Sequence, residues 1–473
     1  MPRLFFSILL LCSLLPLAVA AQTARQTLPP ISIYFNKSVD TTLAYPPGNV
    51  ATGNADLGAI AAQEIGKATA SVDMAMYNLN VQSVVDALIA AHQRGVKLRV
   101  IAHVENSSGA AFQKLVAAGI PLLANPPGQS GQPQPLMHNK FLAIDARPNA
   151  PAGAHPVTLM GSWNATFPQT YNDPNNLLVI RDSAITAAYL MEFEEMWGGQ
   201  SDTPNVAAAK FGAEKADNTP HTFTVGGTRV DIYFSPSDQT ASHINNALLT
   251  GETSIYTANL TFTYGQFATT LRRQHDSGAD VRCVVDNVDD QGSQFGVLGS
   301  FAEAFDWKQE GIFHHKYAVV DAIPLGVGTA PVVVTGSHNF TFSAQTRNDE
   351  NTAIIHDAAI ANQFLQEFAA RYQQVGGSTP FVKATVVNPT SAAYSIMLRA
   401  YPNPFSSSIT LAAQGIEQET TLTISDPVGR TIATFLLEPG QPLVQWNAAS
   451  VASGSYLARI GNSTAPTMIW LVR

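Results

Sequence analysis

Two short stretches of the chain carry the same reactive side chains at the same spacing. Each has a histidine, a lysine two residues later and an aspartate five residues after that: His138, Lys140 and Asp145 in the first, His314, Lys316 and Asp321 in the second. In an extended strand, residues two apart project from the same face. Each stretch therefore places an imidazole and an ammonium group in one site.

The residues that follow each lysine indicate a buried strand. They are apolar in both copies: Phe141, Leu142, Ala143 and Ile144, then Tyr317, Ala318, Val319 and Val320. A buried ammonium group is unfavourable unless a negative group meets it. No acidic residue stands nearby on the same strand face, so the pattern predicts an anionic ligand.

A second signature follows each motif at a similar distance. It reads Gly-Ser-x-Asn and supplies Ser162 and Asn164 in the first copy, Ser337 and Asn339 in the second. If the two copies meet, two histidines, two lysines and two asparagines surround one point. Such a set can hold a phosphodiester and its developing charge without a metal. One histidine can attack phosphorus while the other protonates the leaving alkoxide.

Each motif taken alone has a structural interpretation. A single His-x-Lys is typical of a solvated strand edge, and a single Gly-Ser-x-Asn is typical of a turn. Repetition of both, in the same order, favours a functional site. A zinc site at His314 and His315 is disfavoured, because adjacent strand residues face opposite ways and no further ligand pair stands at metal spacing. We expect no metal and no cofactor.

The repeat also predicts the fold. Short Val/Ile/Leu-rich runs alternate with stretches of helical apolar spacing, which is typical of α/β structure. We predict two pseudo-symmetric α/β lobes at 31–200 and 230–377, with a linker at 201–229. Their sheets should be mixed, mainly parallel and flanked by helices.

The paired motifs resemble the phospholipase D superfamily, whose mark is two His-x-Lys-x4-Asp motifs on a pair of α/β lobes. The resemblance covers about 31–377. It implies a metal-independent phosphodiesterase with a phosphohistidine intermediate, His138 as nucleophile and His314 as general acid/base. It further implies that the lysines and asparagines bind phosphate, that the serines help to bind substrate, and that the aspartates brace the motif: Lys140, Lys316, Asn164, Asn339, Ser162, Ser337, Asp145 and Asp321.

One departure from the family pattern concerns the acid that follows each Gly-Ser-x-Asn. The second copy has Glu350, whereas the first copy has Asn175 at the aligned position. In the family these acids pair with the histidine of the opposite lobe, so Glu350 would serve His138. Asp173 could take the place of the missing acid beside His314.

The C-terminal part, residues 384–473, has a different texture. Short alternating runs separated by turn signals predict a small all-β sandwich. Its segments at 401–405, 424–430 and 454–460, with Val472 and Arg473, resemble the type A sorting domain of the type IX secretion system of Bacteroidetes. The resemblance implies the type IX secretion machinery as a partner. A generic β-sandwich binding module is the alternative.

The N-terminal residues 1–20 are typical of a signal peptide. An apolar run from Leu4 to Leu17 is too short for a membrane span, and cleavage is expected before Ala21. A lipoprotein anchor on Cys12 is disfavoured by the bulky Leu11 before it. The protein should therefore be secreted or lie at the cell surface. The second cysteine, Cys283, should be a buried small hydrophobe.

Composition bears on the substrate. The net charge is −9, with 26 Lys plus Arg against 35 Asp plus Glu, which disfavours a broad grip on nucleic acid. We predict phospholipid as the substrate, a nuclease as the alternative, and an inactive surface binding protein as a third possibility. The aromatic runs 260–264 and 340–342 could line an acyl-facing rim or pack in the core. The two lobes should form one site within a monomer.

Overall fold

The computed structural model describes residues 28–127, 135–148, 150–151, 153–322 and 330–381 of the two lobes. In the C-terminal part it describes 397–472, except 402, 404, 415–418, 427–428, 439–442 and 462–466. The predicted signal peptide and Arg473 lie outside these residues. Among the described residues, no helix is long and apolar enough to cross a membrane.

The first lobe is built on a seven-stranded sheet flanked by helices. Its strands, in chain order, are β1 (Ile31–Phe35), β2 (Ser71–Met76), β3 (Lys97–Ala102), β4 (Leu122–Ala124), β5 (Lys140–Ile144), β6 (Val157–Gly161) and β7 (Asn176–Ile180). Their spatial order is β1-β7-β6-β5-β2-β3-β4. The helices are α1 (Leu57–Lys67), α2 (Gln82–Gln93), α3 (Ala110–Ala117), α4 (Phe167–Tyr171) and α5 (Ser183–Trp197).

The second lobe repeats this arrangement with one added strand. Its strands are β8 (Thr222–Val225), β9 (Thr228–Ser235), β10 (Ser254–Asn259), β11 (Asp280–Val285), β12 (Glu303–Asp306), β13 (Lys316–Val320), β14 (Val332–Gly336) and β15 (Glu350–His356). They are ordered β12-β11-β10-β13-β14-β15-β9-β8. The helices are α6 (Thr240–Leu249), α7 (Gly265–Asp276), α8 (Phe295–Leu298), α9 (Phe342–Thr346) and α10 (Ala358–Gln374).

Two α/β lobes with mixed sheets are confirmed, but the expectation of mainly parallel sheets is wrong. Parallel pairing is confined to β2-β3-β4 and to β10-β11-β12. The other neighbouring strands pair antiparallel. A parallel neighbour needs a long crossover, usually a helix. Only the first connections of each lobe carry helices such as α2, α3 and α7, whereas β5 to β7 and β13 to β15 are joined without a long helix.

Three apolar clusters form the cores of the two lobes. One lies between the lobes and includes Phe193 and Trp197 of α5 with Phe364 and Phe368 of α10. The other two lie on the outer faces of the sheets, one in each lobe. The fully buried Cys283 belongs to the outer cluster of the second lobe, as predicted for a small hydrophobe. The two sheets are thus fixed against each other through α5 and α10.

The aspartates of the two motifs lie at the far ends of β5 and β13. The carboxylate of Asp145 accepts hydrogen bonds from the backbone N–H groups of Thr69, Ala70 and Ser71 at 2.7–3.1 Å. Asp145 has a φ of +53°, which directs its side chain back toward β2. These bonds fasten the end of the motif strand to the start of the neighbouring strand.

Asp321 does the same in the second lobe. With a φ of +50°, it accepts hydrogen bonds from the backbone N–H groups of Glu252, Thr253 and Ser254 at 2.8–3.0 Å. Both aspartates lie at the opposite end of the strand from the histidine. Their contacts are therefore made with the protein and position the motif strands.

The C-terminal part consists of two antiparallel sheets. One contains β16 (Met397–Tyr401), β17 (Ser408–Gln414) and β20 (Leu443–Asn447), and the other β18 (Thr420–Ser425), β19 (Thr431–Leu437), β21 (Gly454–Ile460) and β22 (Thr467–Leu471). Their shared core includes Leu411, Ile424, Trp446 and Ile469. The predicted small all-β unit is confirmed.

The bonds of Asp145 predict a large loss of stability on truncation. Asp145→Ala leaves the N–H groups of Thr69, Ala70 and Ser71 without this acceptor, and of these residues Ser71 is buried, Ala70 half-buried and Thr69 exposed. An unsatisfied buried group is destabilising by about 1–3 kcal/mol, so we expect the free energy of unfolding in urea to fall by about 2–3 kcal/mol. Asp56→Ala, which removes the exposed N-cap of α1, is the control and should lower it by about 1 kcal/mol. Equal losses in the two variants would contradict the bracing role.

Candidate active site

The two histidines lie at corresponding edges of the two sheets. His138 lies two residues before the start of β5, His314 lies two residues before the start of β13, and both are buried, at 6% and 5% exposure. Because β5 runs antiparallel to β2, this edge is also the carboxyl end of the parallel strands. Ligands of α/β proteins commonly bind at that edge.

Each histidine is held by a residue of the other lobe. Nδ1 of His138 lies 2.7 Å from Oε2 of Glu350, and Nδ1 of His314 lies 3.0 Å from Oδ1 of Asn175. Since both Nδ1 atoms are engaged, Nε2 is the ring nitrogen available for reaction in both histidines. The structure therefore brings the two motifs into one composite site.

The residues between each histidine and lysine repeat this exchange. The side-chain amide of Asn351 donates to Oδ1 of Asn139 (3.0 Å), and that of Asn176 donates to Nδ1 of His315 (3.3 Å). The contact from the second lobe to the first thus has a counterpart from the first lobe to the second. The site therefore has an approximate twofold arrangement whose axis passes between the histidines.

Asn175 takes the place that an acid would occupy, and Asp173 does not substitute for it. The amide nitrogen of Asn175 donates to the carbonyl oxygens of Gln169 and Asp173, so its oxygen faces His314. The carboxylate of Asp173 accepts instead from the backbone N–H of Ile312 (2.9 Å). His314 therefore has a neutral acceptor where His138 has a carboxylate.

The two lysines are buried beside the histidines. Nζ of Lys140 donates to the carbonyl oxygen of His138 (2.7 Å), and Nζ of Lys316 donates to that of His314 (2.8 Å). Burial lowers the pKa of Lys140 to about 7. Burial, with added repulsion from Lys140, lowers the pKa of Lys316 well below its usual range. The free site thus holds less positive charge than its residues could carry.

The negative group that the strand pattern lacks beside the lysines is Glu350 of the second lobe. Glu350 attracts both lysines, which raises the pKa of each, although burial dominates. Burial also raises the pKa of Glu350 itself to about 7. One carboxylate beside two ammonium groups leaves room for an anion.

Both histidines favour the neutral form in the free protein. Burial is the largest cause that lowers the pKa of His138 and of His314 well below the usual range. The two lysines add to it by repelling an imidazolium ion. A bound anion between the lysines would offset that repulsion.

The asparagines and serines of the second signature take different positions. Oδ1 of Asn164 and Oδ1 of Asn339 are buried and have no hydrogen-bond partner among the described residues. Ser162 donates to Oδ1 of Asn175 (2.9 Å), and Ser337 accepts from the backbone N–H of Asn351 (3.0 Å). Both hydroxyls are fully buried, and their contacts are those of positioning groups.

Sequence reasoning missed an aromatic neighbour of the site. The ring of Tyr77 stacks on His103 at 5.0 Å and meets His138 edge-on at 4.9 Å. Nζ of Lys140 lies 5.2 Å from the centre of the same ring. Tyr77 directly follows β2, the neighbour of the motif strand, so its position at the strand end was a usable signal.

The aromatic runs divide between core and rim. Phe262 and Phe340 are fully buried in the outer cluster of the second lobe, as the packing interpretation expects. Phe342, at the start of α9, is 64% exposed. Its equivalent in the first lobe, Phe167 at the start of α4, is 60% exposed. Each follows its site asparagine by three residues, so the pair flanks the site.

The described residues contain one group suited to a metal ion by its ligand types, namely Asp217, His221 and Asp238. It includes none of the motif residues. His314 and His315 face opposite ways, the first toward Asn175 and the second toward Glu367, 3.0 Å away.

Comparison with protein families gives two matches. The family described as "Cardiolipin synthase, PLD-like domain" matches residues 61–197 and 242–372. The family described as "Secretion system C-terminal sorting domain" matches residues 399–471. The first match covers both motifs of the composite site, and the second covers the C-terminal sheets.

Among curated proteins, the chain is similar to the mitochondrial cardiolipin hydrolase of Xenopus tropicalis, with 36% identity over 141 residues. The alignment covers 29% of this chain and 63% of that protein. It is also similar to a phospholipase D of Rickettsia conorii, with 30% identity over 30% of this chain and 70% of that protein. The chain thus spans a little under two thirds of the cardiolipin hydrolase.

Solved structures show more distant likeness. Phosphatidylserine synthase of Haemophilus influenzae aligns with a TM-score of 0.48 and 12% identity, over 67% of this chain and 83% of that chain. The phospholipase D family member Nuc of Salmonella typhimurium aligns with a TM-score of 0.27 and 27% identity, over 31% and 94% of the respective chains.

The depressed pKa values of the histidines predict proton uptake when an anion binds. A sulfate ion between Lys140 and Lys316 would offset their repulsion and raise the pKa of His138 and His314 toward neutrality. We expect sulfate binding at neutral pH to take up protons. Titration calorimetry in buffers of different ionisation enthalpy measures this uptake. A binding enthalpy independent of the buffer would contradict the prediction, and Lys316→Met should weaken binding.

Proposed function

Because the chain belongs to the phospholipase D-like family, whose domain description covers more than half of its residues, we propose that it is an exported phosphodiesterase that hydrolyses phospholipid headgroup esters. One observation carries the proposal. Two histidines with free Nε2 atoms, each beside a buried lysine, meet at one site suited to an anion.

The reaction proceeds in two displacements at phosphorus. Nε2 of one neutral histidine attacks the phosphodiester, and the bond from phosphorus to the leaving oxygen breaks. The other histidine, protonated once the anion is bound, gives its proton to the leaving alkoxide. Water then attacks phosphorus, the same histidine takes a proton from the water, and the phosphohistidine bond breaks.

The different partners of the histidines assign the two roles. Attack through Nε2 makes the imidazole ring of the nucleophile cationic, and a carboxylate at Nδ1 stabilises that charge. His138 has this partner in Glu350. His314 has the neutral oxygen of Asn175, so its imidazolium releases a proton more readily. His138 is therefore the nucleophile and His314 the general acid and base.

The lysines and asparagines supply the charge that the transition state needs. Lys140 and Lys316 lie buried on opposite sides of the approximate twofold axis, so an anion between them meets both. Fixed donors in a site shielded from water stabilise developing charge strongly. Asn164 and Asn339 add amide groups from the adjoining turns.

These roles predict different outcomes for the two histidine variants. His138→Ala and His314→Ala should each lower turnover by about 10²-fold or more, because each removes a proton-transfer or nucleophilic group. Only His314→Ala should trap a phosphoenzyme, since attack still occurs but hydrolysis lacks its base. Intact-protein mass spectrometry after mixing with substrate detects the adduct. A phosphoenzyme found in His138→Ala alone would reverse the assignment.

A chelator assay tests independence from metal. Purified full-length protein should release headgroup from phosphatidylcholine or cardiolipin vesicles in the presence of a strong chelator, and His138→Ala is the inactive control. Loss of all activity with chelator, restored by a divalent ion, would overturn the metal-free mechanism.

The net charge of the chain and two exposed phenylalanines favour lipid over nucleic acid as the substrate. The net charge of −9 disfavours a broad polyanion grip. Phe167 and Phe342 hold equivalent positions in the two lobes, three residues after Asn164 and Asn339, and both are exposed. Two exposed aromatic rings at equivalent positions suit an apolar surface. The names of the curated relatives, a cardiolipin hydrolase and a phospholipase D, support the same substrate class.

A nuclease of the same family is the second candidate function. The phosphodiester chemistry would be identical, so the site geometry alone fits both substrates. Cleavage of DNA or RNA without release of lipid headgroups would favour the nuclease. An inactive binding protein is disfavoured because both motifs retain their histidine and lysine.

The exposed phenylalanines predict a dependence on the lipid surface. Phe167→Ser and Phe342→Ser each remove a ring whose burial in lipid contributes about 1.5–3 kcal/mol, so vesicle affinity should fall about tenfold or more per change. The kcat/KM on a soluble short-chain diester should stay near the wild-type value. Val206→Ser, at a side chain 71% exposed in the segment between the lobes, is the control and should leave both readouts unchanged. Unchanged vesicle affinity in a variant that carries both changes would contradict a role of the two phenylalanines in binding the lipid surface.

The C-terminal match supports export. A sorting domain at residues 399–471 is expected to direct the chain through a type IX secretion system to the cell surface or outside. Deletion of residues 384–473 should retain the protein in the cell, with its phosphodiesterase activity intact in lysate.

A further inference from the structure

The outer faces of the two sheets differ where they meet the site. Strand register makes Lys140 equivalent to Lys316 and gives three further pairs of equivalent positions: Met76 and Asn259, Leu177 and Thr352, Trp163 and His338. In the first lobe all three side chains are apolar or aromatic and belong to the outer cluster. In the second lobe all three are polar.

These polar side chains are buried without protein partners. Asn259, Thr352 and His338 are 0%, 1% and 2% exposed. Among the described residues, none provides a hydrogen bond to either amide atom of Asn259, either ring nitrogen of His338 or the hydroxyl of Thr352. In the first lobe, by contrast, the indole N–H of Trp163 donates to Thr170 at 2.9 Å.

The orphan groups lie on the face that carries Lys316 and Glu350. Asn259 pairs directly with Lys316 across antiparallel strands, so their side chains share a face. Thr352 and Glu350 are two apart on β15 and share that face as well. Oε1 of Glu350, the oxygen turned away from His138, is also buried and unpartnered among the described residues.

Gly336 marks a close approach of two backbones among these groups. It pairs with Thr352, and His338 follows it by two residues on the same face. Gly336 has a φ of +151°, and a Cβ there would lie 2.2 Å from the carbonyl oxygen of Asn351. A side chain is thus excluded at the position between Lys316 and Thr352.

The chemistry of the groups points to water. Buried polar atoms are nearly always hydrogen-bonded to protein or to ordered water. The amide, hydroxyl and imidazole groups are neutral and offer both donors and acceptors, which suits water with its roughly three bonds per buried molecule. Burial lowers the pKa of His338 to about 4, so this ring is neutral as well.

We propose that Thr352 and His338 hold ordered water against Oε1 of Glu350, and that this water keeps Glu350 ionised as the charge partner of His138. Asn259 lies three strands away from β15 and takes no part in this arrangement. The proposal rests on the proposed function, because Glu350 acts only through the nucleophile. Thr352 and His338 are positioning residues, and they touch neither substrate nor the reacting atoms.

The need for such water follows from the surroundings of Glu350. The titratable groups that face it are His138, Lys140 and Tyr77 of the first lobe and Lys316, His338 and Asp349 of the second. Burial outweighs the attraction of the lysines and of His338 and the hydrogen bond from Ser337, so the pKa of Glu350 rises to about 7. A hydrogen bond donated to a carboxylate stabilises its charged form. Water on Oε1 would therefore hold the carboxylate ionised at neutral pH.

The test is the pH profile of kcat/KM for a soluble chromogenic phosphodiester, measured on the full-length protein. Thr352→Val removes a hydrogen-bonding group at nearly constant size. We expect the acid limb of its profile to move up by about one pH unit, since a bond to a charged group shifts an ionisation by about tenfold. Activity near neutrality falls, and activity at alkaline pH recovers. Thr352→Ser keeps the hydroxyl and should keep the wild-type limb.

Thr158→Val is the matched control. Thr158 is a fully buried threonine of β6 whose hydroxyl donates to Thr186 at 3.0 Å. This change should lower stability without moving the limb. An acid limb at its wild-type pH in folded Thr352→Val would overturn the inference. A wild-type protein that is inactive on phosphodiesters would instead overturn the proposed function.

Discussion

Each histidine makes a hydrogen bond with a residue of the other lobe, and the geometry of the site depends on these two bonds. His138 and Glu350 belong to different lobes, yet Nδ1 of His138 and Oε2 of Glu350 are 2.7 Å apart. A good N–H···O hydrogen bond needs a donor–acceptor distance of about 2.7–3.2 Å and a near-linear angle. The packing between the lobes must therefore be rigid. The apolar cluster around α5 and α10 meets this need, because close-packed interiors transmit rather than absorb displacement.

The same interface ties the motif strands to the packing helices. Glu192 of α5 lies 3.5 Å from the amide of Asn139, and Glu367 of α10 lies 3.0 Å from His315. Residue x of each His-x-Lys motif thus faces the lobe interface, while its neighbours face the substrate. One strand serves both purposes because successive side chains point to opposite faces. Interface packing and site geometry are consequently set together.

The sequence predicts which reactive groups form the site better than it predicts the hydrogen bonds between them. A spacing of two on a strand predicts that each histidine shares a face with its lysine, and the hydrogen bonds of Glu350 and Asn175 bring the two His-Lys pairs into one site. The partner of His314 was not decided by spacing. Asp173 and Asn175 both stand near the right place, and only the turn after α4 shows that Asp173 bonds to Ile312. Such a choice depends on contacts between residues far apart in the chain.

The strand directions and the polar groups behind Glu350 escaped prediction for related reasons. Helix-like stretches between strands imply parallel neighbours, but β5 to β7 and β13 to β15 return without a long crossover, and no pattern of apolar residues marks that direction. His338 occupies the variable position of Gly-Ser-x-Asn, where any residue fits the motif. Its isolation becomes visible only when Trp163, its equivalent, is seen to have a partner.

Asymmetry is what the chemistry demands of a duplicated site. In a strictly twofold arrangement the two imidazoles would have equal pKa values, and nothing would determine which one attacks. Glu350 opposite Asn175 removes that degeneracy, because a carboxylate stabilises a cationic ring and an amide oxygen does so far less. The polar groups behind Glu350 belong to the same lobe as this carboxylate, so both departures from symmetry act on one histidine. In the proposed reaction, His138 is thereby favoured to carry the positive charge of the covalent intermediate.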